Sequence, residues 1–259
     1  MRTKITAGLL SLGLVASSVA MPVPALAEGS FSDAQKKELH SIIRDYMLEN
    51  PELLNEMIAK LQAAEQAKQA EQSREVISSN ADKLFRSPND QVVGNPDGNV
   101  TMVEFFDYNC GYCKRSLADV MRLTEEDKNL RVVMKEFPIL SEGSVIASHA
   151  AMAARKQNKY WELHVALMSA KGGIDSLEKV LSVAKDAGLD VDKLKADIEA
   201  SRADHDKVIA ENRNLAQMLG INGTPAFVID SEIVPGAAPH DQLAATVKSV
   251  RDNGGCKFC

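Results

Sequence analysis

The chain has 259 residues, with 36 acidic and 30 basic side chains and a formal net charge of −6. This length suits one moderate domain plus an extension. The acidic balance and the lack of any basic stripe exclude a nucleic-acid-binding protein of the usual kind.

Arg2 and Lys4 precede an uncharged apolar stretch, Ile5 to Ala20, and Ala25-Leu26-Ala27 supplies a small-x-small cleavage pattern. That layout predicts a secretory signal peptide over residues 1–27. Gly8, Gly13, Ser17, Ser18, Pro22 and Pro24 interrupt the stretch, and no positive stop-transfer flank follows, which argues against a membrane anchor. Loss of Arg2 and Lys4 would take the formal charge from −6 to −8. No comparably long apolar run comes later, so the exported chain is expected to be soluble.

Residues 28–86 read as helical. Leu39, Ile42, Ile43, Tyr46 and Met47 form one apolar stripe, and Asn50-Pro51-Glu52 marks a restart with Asn50 as cap. Leu54, Met57, Ile58, Leu61 and Ala64 continue at three-to-four spacing. Gln62 to Arg74 is then almost entirely Gln, Ala, Glu and Lys, strong helix formers with little to bury. The segment predicts a stalk whose apolar part seeks a second chain, making the protein a homo-oligomer.

Ser87-Pro88-Asn89-Asp90 is a turn cluster that opens the next domain, residues 87–252. Gln91 to Gly94 and Val100 to Phe106 read as strands, the run from Cys110 to Arg115 opens a helix through Leu117, Val120, Met121 and Leu123, and Leu130 to Phe137 reads as a further strand. Cys110-Gly111-Tyr112-Cys113 thus lies at the strand-to-helix turn of a βαβ unit. Helical patterning fills an insert over about 141–220, with breaks expected near Asn158, Gly172-Gly173, Gly188 and Ser201. A hairpin, Ala226–Asp230 and Glu232–Val234, and a helix after Pro239 complete the order. His149, His164 and Trp161, within the insert, are expected to pack rather than to bind.

All four cysteines lie in two C-x-x-C pairs, and neither pair closes a loop of much entropic value. The sulfur is therefore kept for chemistry. At the start of a helix Cys110 faces unsatisfied backbone N–H groups that favour negative charge on its sulfur, so it is the expected nucleophile. Cys113, one turn deeper, is the expected resolving thiol. A shared zinc site is disfavoured because a whole domain separates the two pairs. Cys256 and Cys259, in a tail over residues 253–259, lack the strand and helix that frame Cys110. Three readings stay open for them, in this order: a local disulfide, a second redox relay feeding Cys110, or a soft-metal site for an ion such as copper(I).

The run Val103 to Cys113, together with Gly223-Thr224-Pro225-Ala226-Phe227, resembles the DsbA-like branch of thioredoxin-fold proteins. The N-terminal helices resemble those of an oligomeric subset that includes suppressor of copper sensitivity C proteins. The resemblance implies an α/β thioredoxin fold with an all-helical insertion behind a helical stalk, and periplasmic protein thiol–disulfide exchange with no cofactor or metal. It implies that Glu104 moves the proton of Cys113. It also implies that Pro225 is a cis-proline presenting Thr224 to a bound peptide, and that Gly111 and Tyr112 tune the redox poise. Expected partners are protein thiols and disulfides, and a membrane or periplasmic redox partner. The stalk and Thr224 favour an isomerase or reductase, with a dithiol oxidase or a copper(I)-binding thiol protein as alternatives.

Overall fold

The structure is a computed structural model that describes residues 31–259; the expected signal peptide lies outside the described residues. The described residues divide into two compact units, 31–60 and 61–259.

In the first unit, α1 (Asp33–Glu49) starts at a capping box in which Ser32 and Gln35 each satisfy the other's backbone N–H. Asn50 closes this helix, its side-chain amide donating to the Tyr46 carbonyl at 2.8 Å, instead of capping the next. The second helix, α2 (Glu52–Ser79), runs for 28 residues and continues past the division at residue 60 into the second unit. Leu39, Ile42, Ile43, Tyr46 and Met47 on α1 are exposed, as are Leu54, Met57, Ile58 and Leu61 on α2. Such a stripe is amphipathic in sequence yet left exposed among the described residues.

In the second unit, a short α3 (Ala81–Phe85) leads to β1 (Gln91–Gly94), β2 (Val100–Phe106), α4 (Gly111–Glu126) and β3 (Leu130–Glu136). Four helices form the insert: α5 (Glu142–Ala154), α6 (Tyr160–Ser169), α7 (Leu177–Asp186) and α8 (Val191–Met218). The hairpin β4 (Ala226–Ile229) and β5 (Glu232–Pro235) precedes α9 (His240–Asp252). The expected break at Ser201 is absent, because α8 runs unbroken through it. A single serine among Ala, Glu, Arg and Asp costs a helix only a few tenths of a kcal/mol (~0.5). The other breaks are real: Asn158 and Gly188 have positive φ, and residues 170–176 form a loop.

The five strands lie in the order β1-β3-β2-β4-β5, with only β2 and β3 parallel. This is a thioredoxin-like sheet with helices on both faces. Every residue of the central β2 is buried, which explains why its sequence reads as a continuous run instead of an alternation. One face carries Val100, Met102 and Phe106 against α4, α9 and the insert. The other carries Val103 and Phe105 against Ile77, Leu84, Phe85, Leu215 and Leu219. The packing of this unit thus reaches back through α3 to the last turns of α2, N-terminal to the Ser87-Pro88 turn.

Charge is also buried. Lys135 pairs with Asp90 at 2.5 Å, both side chains almost without solvent contact, and Lys135 also donates to the Lys83 carbonyl at 2.6 Å. Burial outweighs the lysine's attraction and raises the Asp90 carboxyl to about 6.

Candidate active site

Cys110 follows β2 through a three-residue link and is the N-cap of α4. Its sulfur accepts the Cys113 N–H at 3.4 Å, and its thiol donates to the Thr224 carbonyl at 3.1 Å. The helix start thus offers an N–H donor to the sulfur, the geometry that stabilises charge there. Both cysteines are free thiols. Cys110 retains 6% of its surface and Cys113 1%, so the first is the one at the molecular edge. Burial first, and then the charges of Glu104 and Cys110, hold the Cys113 thiol well above its ordinary range.

Glu104 sits in the middle of the central strand. Side chains alternate along β2, so it shares the face of Met102 and Phe106, turned towards α4 and its cysteines. Only 4% of it is exposed, and desolvation alone pushes its carboxyl from 4.5 to about 8. An acid that gains and loses a proton near neutrality lies on the cysteine side of the sheet.

The Thr224-Pro225 peptide bond is cis, and it leads into β4, which pairs with β2. That pairing carries Thr224 to Cys110 across 114 residues of sequence. Tyr112 is 60% exposed and stacks under the Arg115 guanidinium, 4.3 Å from its ring centroid. A Cβ on Gly111 would meet nothing within 4 Å, so the chain itself does not require glycine there. Lys114 is engaged by the insert, its ammonium donating to the carbonyls of Ala170 and Gly172 at 3.1 and 3.2 Å. The structure therefore brings Cys110, Cys113, Glu104, Thr224 and Pro225 together, with Gly111 and Tyr112 on the rim.

Two positioning residues escaped the sequence reading. Asp107 is 1% exposed and accepts four bonds: from the Asn109 N–H and Ser144 hydroxyl, both 2.7 Å, and from the N–H groups of Ile139 and Leu140 at 2.8 and 3.0 Å. Asn109 then holds the insert, accepting from the Ile174 N–H at 2.7 Å and donating to the Ile174 carbonyl at 2.8 Å. Gly143 permits this approach, since a Cβ there would stand 1.8 Å from the Ile174 carbonyl oxygen. The only signal in the sequence was a polar D-x-N just before the cysteine, which reads equally well as a turn.

Beneath the loop lies a second buried acid. Tyr108 and Tyr160 both donate to Glu136 Oε1, at 3.1 and 2.8 Å, and burial raises this carboxyl to about 8. His164 lies 3.2 Å from the Tyr108 hydroxyl and stacks on Trp161. Desolvation lowers it to about 3, so it is neutral at pH 7. These contacts join β3 and the link after β2 to α6, in line with the expectation that His164 and Trp161 pack.

The sequence matches the DSBA-like thioredoxin domain over residues 101–248, more than half of the chain. This chain belongs to the DsbA-like thioredoxin-fold family. Residues 35–68 of this DsbA-like chain match a second family, the copper resistance protein ScsC N-terminal domain. Among solved structures it is similar to a thioredoxin-like oxidoreductase from Silicibacter pomeroyi DSS-3, at 47% identity and a TM-score of 0.63, covering 66% of this chain and 97% of that one. It is also similar to ScsC from Proteus mirabilis in a transitional conformation, at 32% identity and a TM-score of 0.63, covering 86% and 98%. Among curated proteins, Na(+)/H(+) antiporter NhaA 1 of Salinispora arenicola is 29% identical over 162 residues, 62% of this chain. The chain spans about a quarter of that relative's length (24%).

Asp230, Cys256 and Cys259 form a group of possible metal ligands. Cys256 and Cys259 are joined in a disulfide, which withholds the thiolates a soft metal would need.

Proposed function

We propose that this DsbA-like chain is an exported, periplasmic thiol–disulfide oxidoreductase that rearranges or reduces disulfides in protein clients. The observation that carries the reading is the pair of contacts on Cys110 Sγ, one from a helix-start N–H and one to the cis-proline loop.

In reduction of a client, the Cys110 thiolate attacks one client sulfur and expels the other, which takes a proton. Cys113 then passes its proton to Glu104, in the ionised fraction that a carboxyl at about 8 keeps at pH 7, and attacks Cys110. The second client sulfur leaves as a thiolate and takes that proton from Glu104, and the Cys110–Cys113 disulfide remains. Two electrons and two protons pass to the client. If Cys113 does not attack, the freed client thiolate attacks another disulfide of the client, a client thiolate so released displaces Cys110 from the mixed disulfide, and the net exchange is an isomerisation. The exposed Tyr112, Ile139 and Leu140 supply apolar surface beside the cysteine for an unfolded segment. The uncovered stripe on α1 and α2 supports a homo-oligomer that presents several such sites to one client at high effective concentration.

Replacing Cys113 with Ala is expected to trap disulfide-linked clients through Cys110, and replacing Cys110 with Ala to abolish the trapping. An absence of trapped species with Cys110 intact would overturn the assignment. Light scattering on the chain without its signal peptide is expected to show an oligomer; a monomer would remove the stalk from the argument.

A further inference from the structure

The second C-x-x-C pair stands at the opposite pole of the sheet. Cys259 Sγ lies 3.6 Å from the Thr101 carbonyl, at the start of β2, whereas Cys110 lies beyond the end of that strand. At ~3.3 Å per residue, the steps from Thr101 to Phe106 alone cover about 17 Å. The tail pair cannot pass electrons directly to Cys110 of its own chain, which removes the intramolecular relay from the readings of the tail.

The Cys256–Cys259 bond spans a sequence separation of three and contributes little chain-entropy stabilisation. Other contacts hold the tail. The N–H groups of Lys257 and Phe258 donate to Asp230 Oδ1 at 2.6 and 3.0 Å. Phe258 packs on the second core cluster, and Arg86 donates to the Cys259 carbonyl. None of these contacts uses the sulfur–sulfur bond. The tail is therefore built to keep its shape whether the pair is oxidised or reduced.

Both sulfurs are also reachable. Cys256 and Cys259 are half-buried and line a surface hollow with Arg86, Arg131, Asn99 and Thr101. Positive charge beside a disulfide attracts an incoming thiolate and stabilises the thiolate that leaves. The Asp230 carboxylate, within 4.8 Å of both sulfurs, opposes this, but its Oδ1 is already engaged by two N–H donors.

We propose that Cys256–Cys259 is a second exchangeable disulfide whose co-substrate is an anionic, carboxylate-bearing thiol. One thiolate attacks a tail sulfur, forms a mixed disulfide and expels the other tail sulfur, which takes a proton. A second thiolate displaces the mixed disulfide. Two thiols become one disulfide, and the tail gains two electrons and two protons.

The test uses the full chain carrying Cys110→Ser and Cys113→Ser, so the outcome is independent of the first pair. Glutathione serves as the carboxylate-bearing thiol and 2-mercaptoethanol as the thiol without a carboxylate. The number of alkylated thiols is read by intact mass, and the fold by far-UV circular dichroism. Glutathione is expected to open the pair reversibly, giving two alkylated thiols with the dichroism unchanged. Arg131→Gln, or raised salt without any mutation, is expected to slow glutathione about fivefold, a Coulomb effect of roughly 1 kcal/mol, and to slow 2-mercaptoethanol, whose thiolate brings no carboxylate, clearly less. Thiols that appear only after the dichroism is lost would overturn the proposal. So would equal sensitivity of the two reagents to salt.

Discussion

Glu104→Gln separates the two consequences of burying an acid under the cysteines. The folded carboxyl titrates at about 8 and the unfolded one near its ordinary 4.5. Between those values the folded chain keeps a proton that the unfolded chain has released, so stability falls as pH rises through the window. At ~1.36 kcal/mol per unit, the cost is about 1 kcal/mol at pH 5, about 3 at pH 7 and about 4 at pH 8. Gln keeps the shape and remains neutral, so the variant escapes this cost. Urea unfolding of the reduced protein and the variant at these pH values is the assay. The stability difference is expected to move in the variant's favour by about 3 kcal/mol from pH 5 to pH 8. Glu136, also raised to about 8, contributes equally to both proteins and cancels. Turnover in an insulin-reduction assay should fall by about a hundredfold at the same time, because Cys113 loses its proton acceptor. A stability difference that is flat with pH would refute the raised carboxyl, and unchanged turnover would refute its role as acceptor.

Asp107→Ala removes the acceptor of four bonds around the active-site loop. It is expected to lose about 4 kcal/mol in denaturant unfolding and to slow exchange, because buried donors are left unpaired. Asp90→Ala leaves Lys135 buried without its partner and should cost about 3–5 kcal/mol in the same measurement. Adding Lys135→Met to Asp90→Ala is expected to recover a large part of that loss, since the stranded charge is then gone.

The strand-to-helix placement of Cys110 and Cys113 was legible because it is local. A β-rich run, a C-x-x-C and an amphipathic helix follow one another within residues 100–126, and each speaks through its own periodicity. The hairpin and most insert boundaries were legible for the same reason, since glycines and asparagine mark them. Ser201 misled because serine breaks a helix only weakly, and the residues around it are willing helix formers. Asp107 and Asn109 gave no usable signal, because their partners at 139, 144 and 174 are distant in sequence.

What the sequence determined by itself is which residues can do redox chemistry and which stretch of backbone activates one of them. Propensity, period and helix-start electrostatics are all properties of neighbouring residues. Tertiary structure alone decided that Glu104 is buried and therefore protonated near neutrality, because desolvation depends on everything packed around β2. It also decided that Thr224 meets Cys110, and that Cys256–Cys259 lies at the opposite end of the strand from Cys110–Cys113. Those facts come from strand order and register, which bring together residues more than a hundred positions apart.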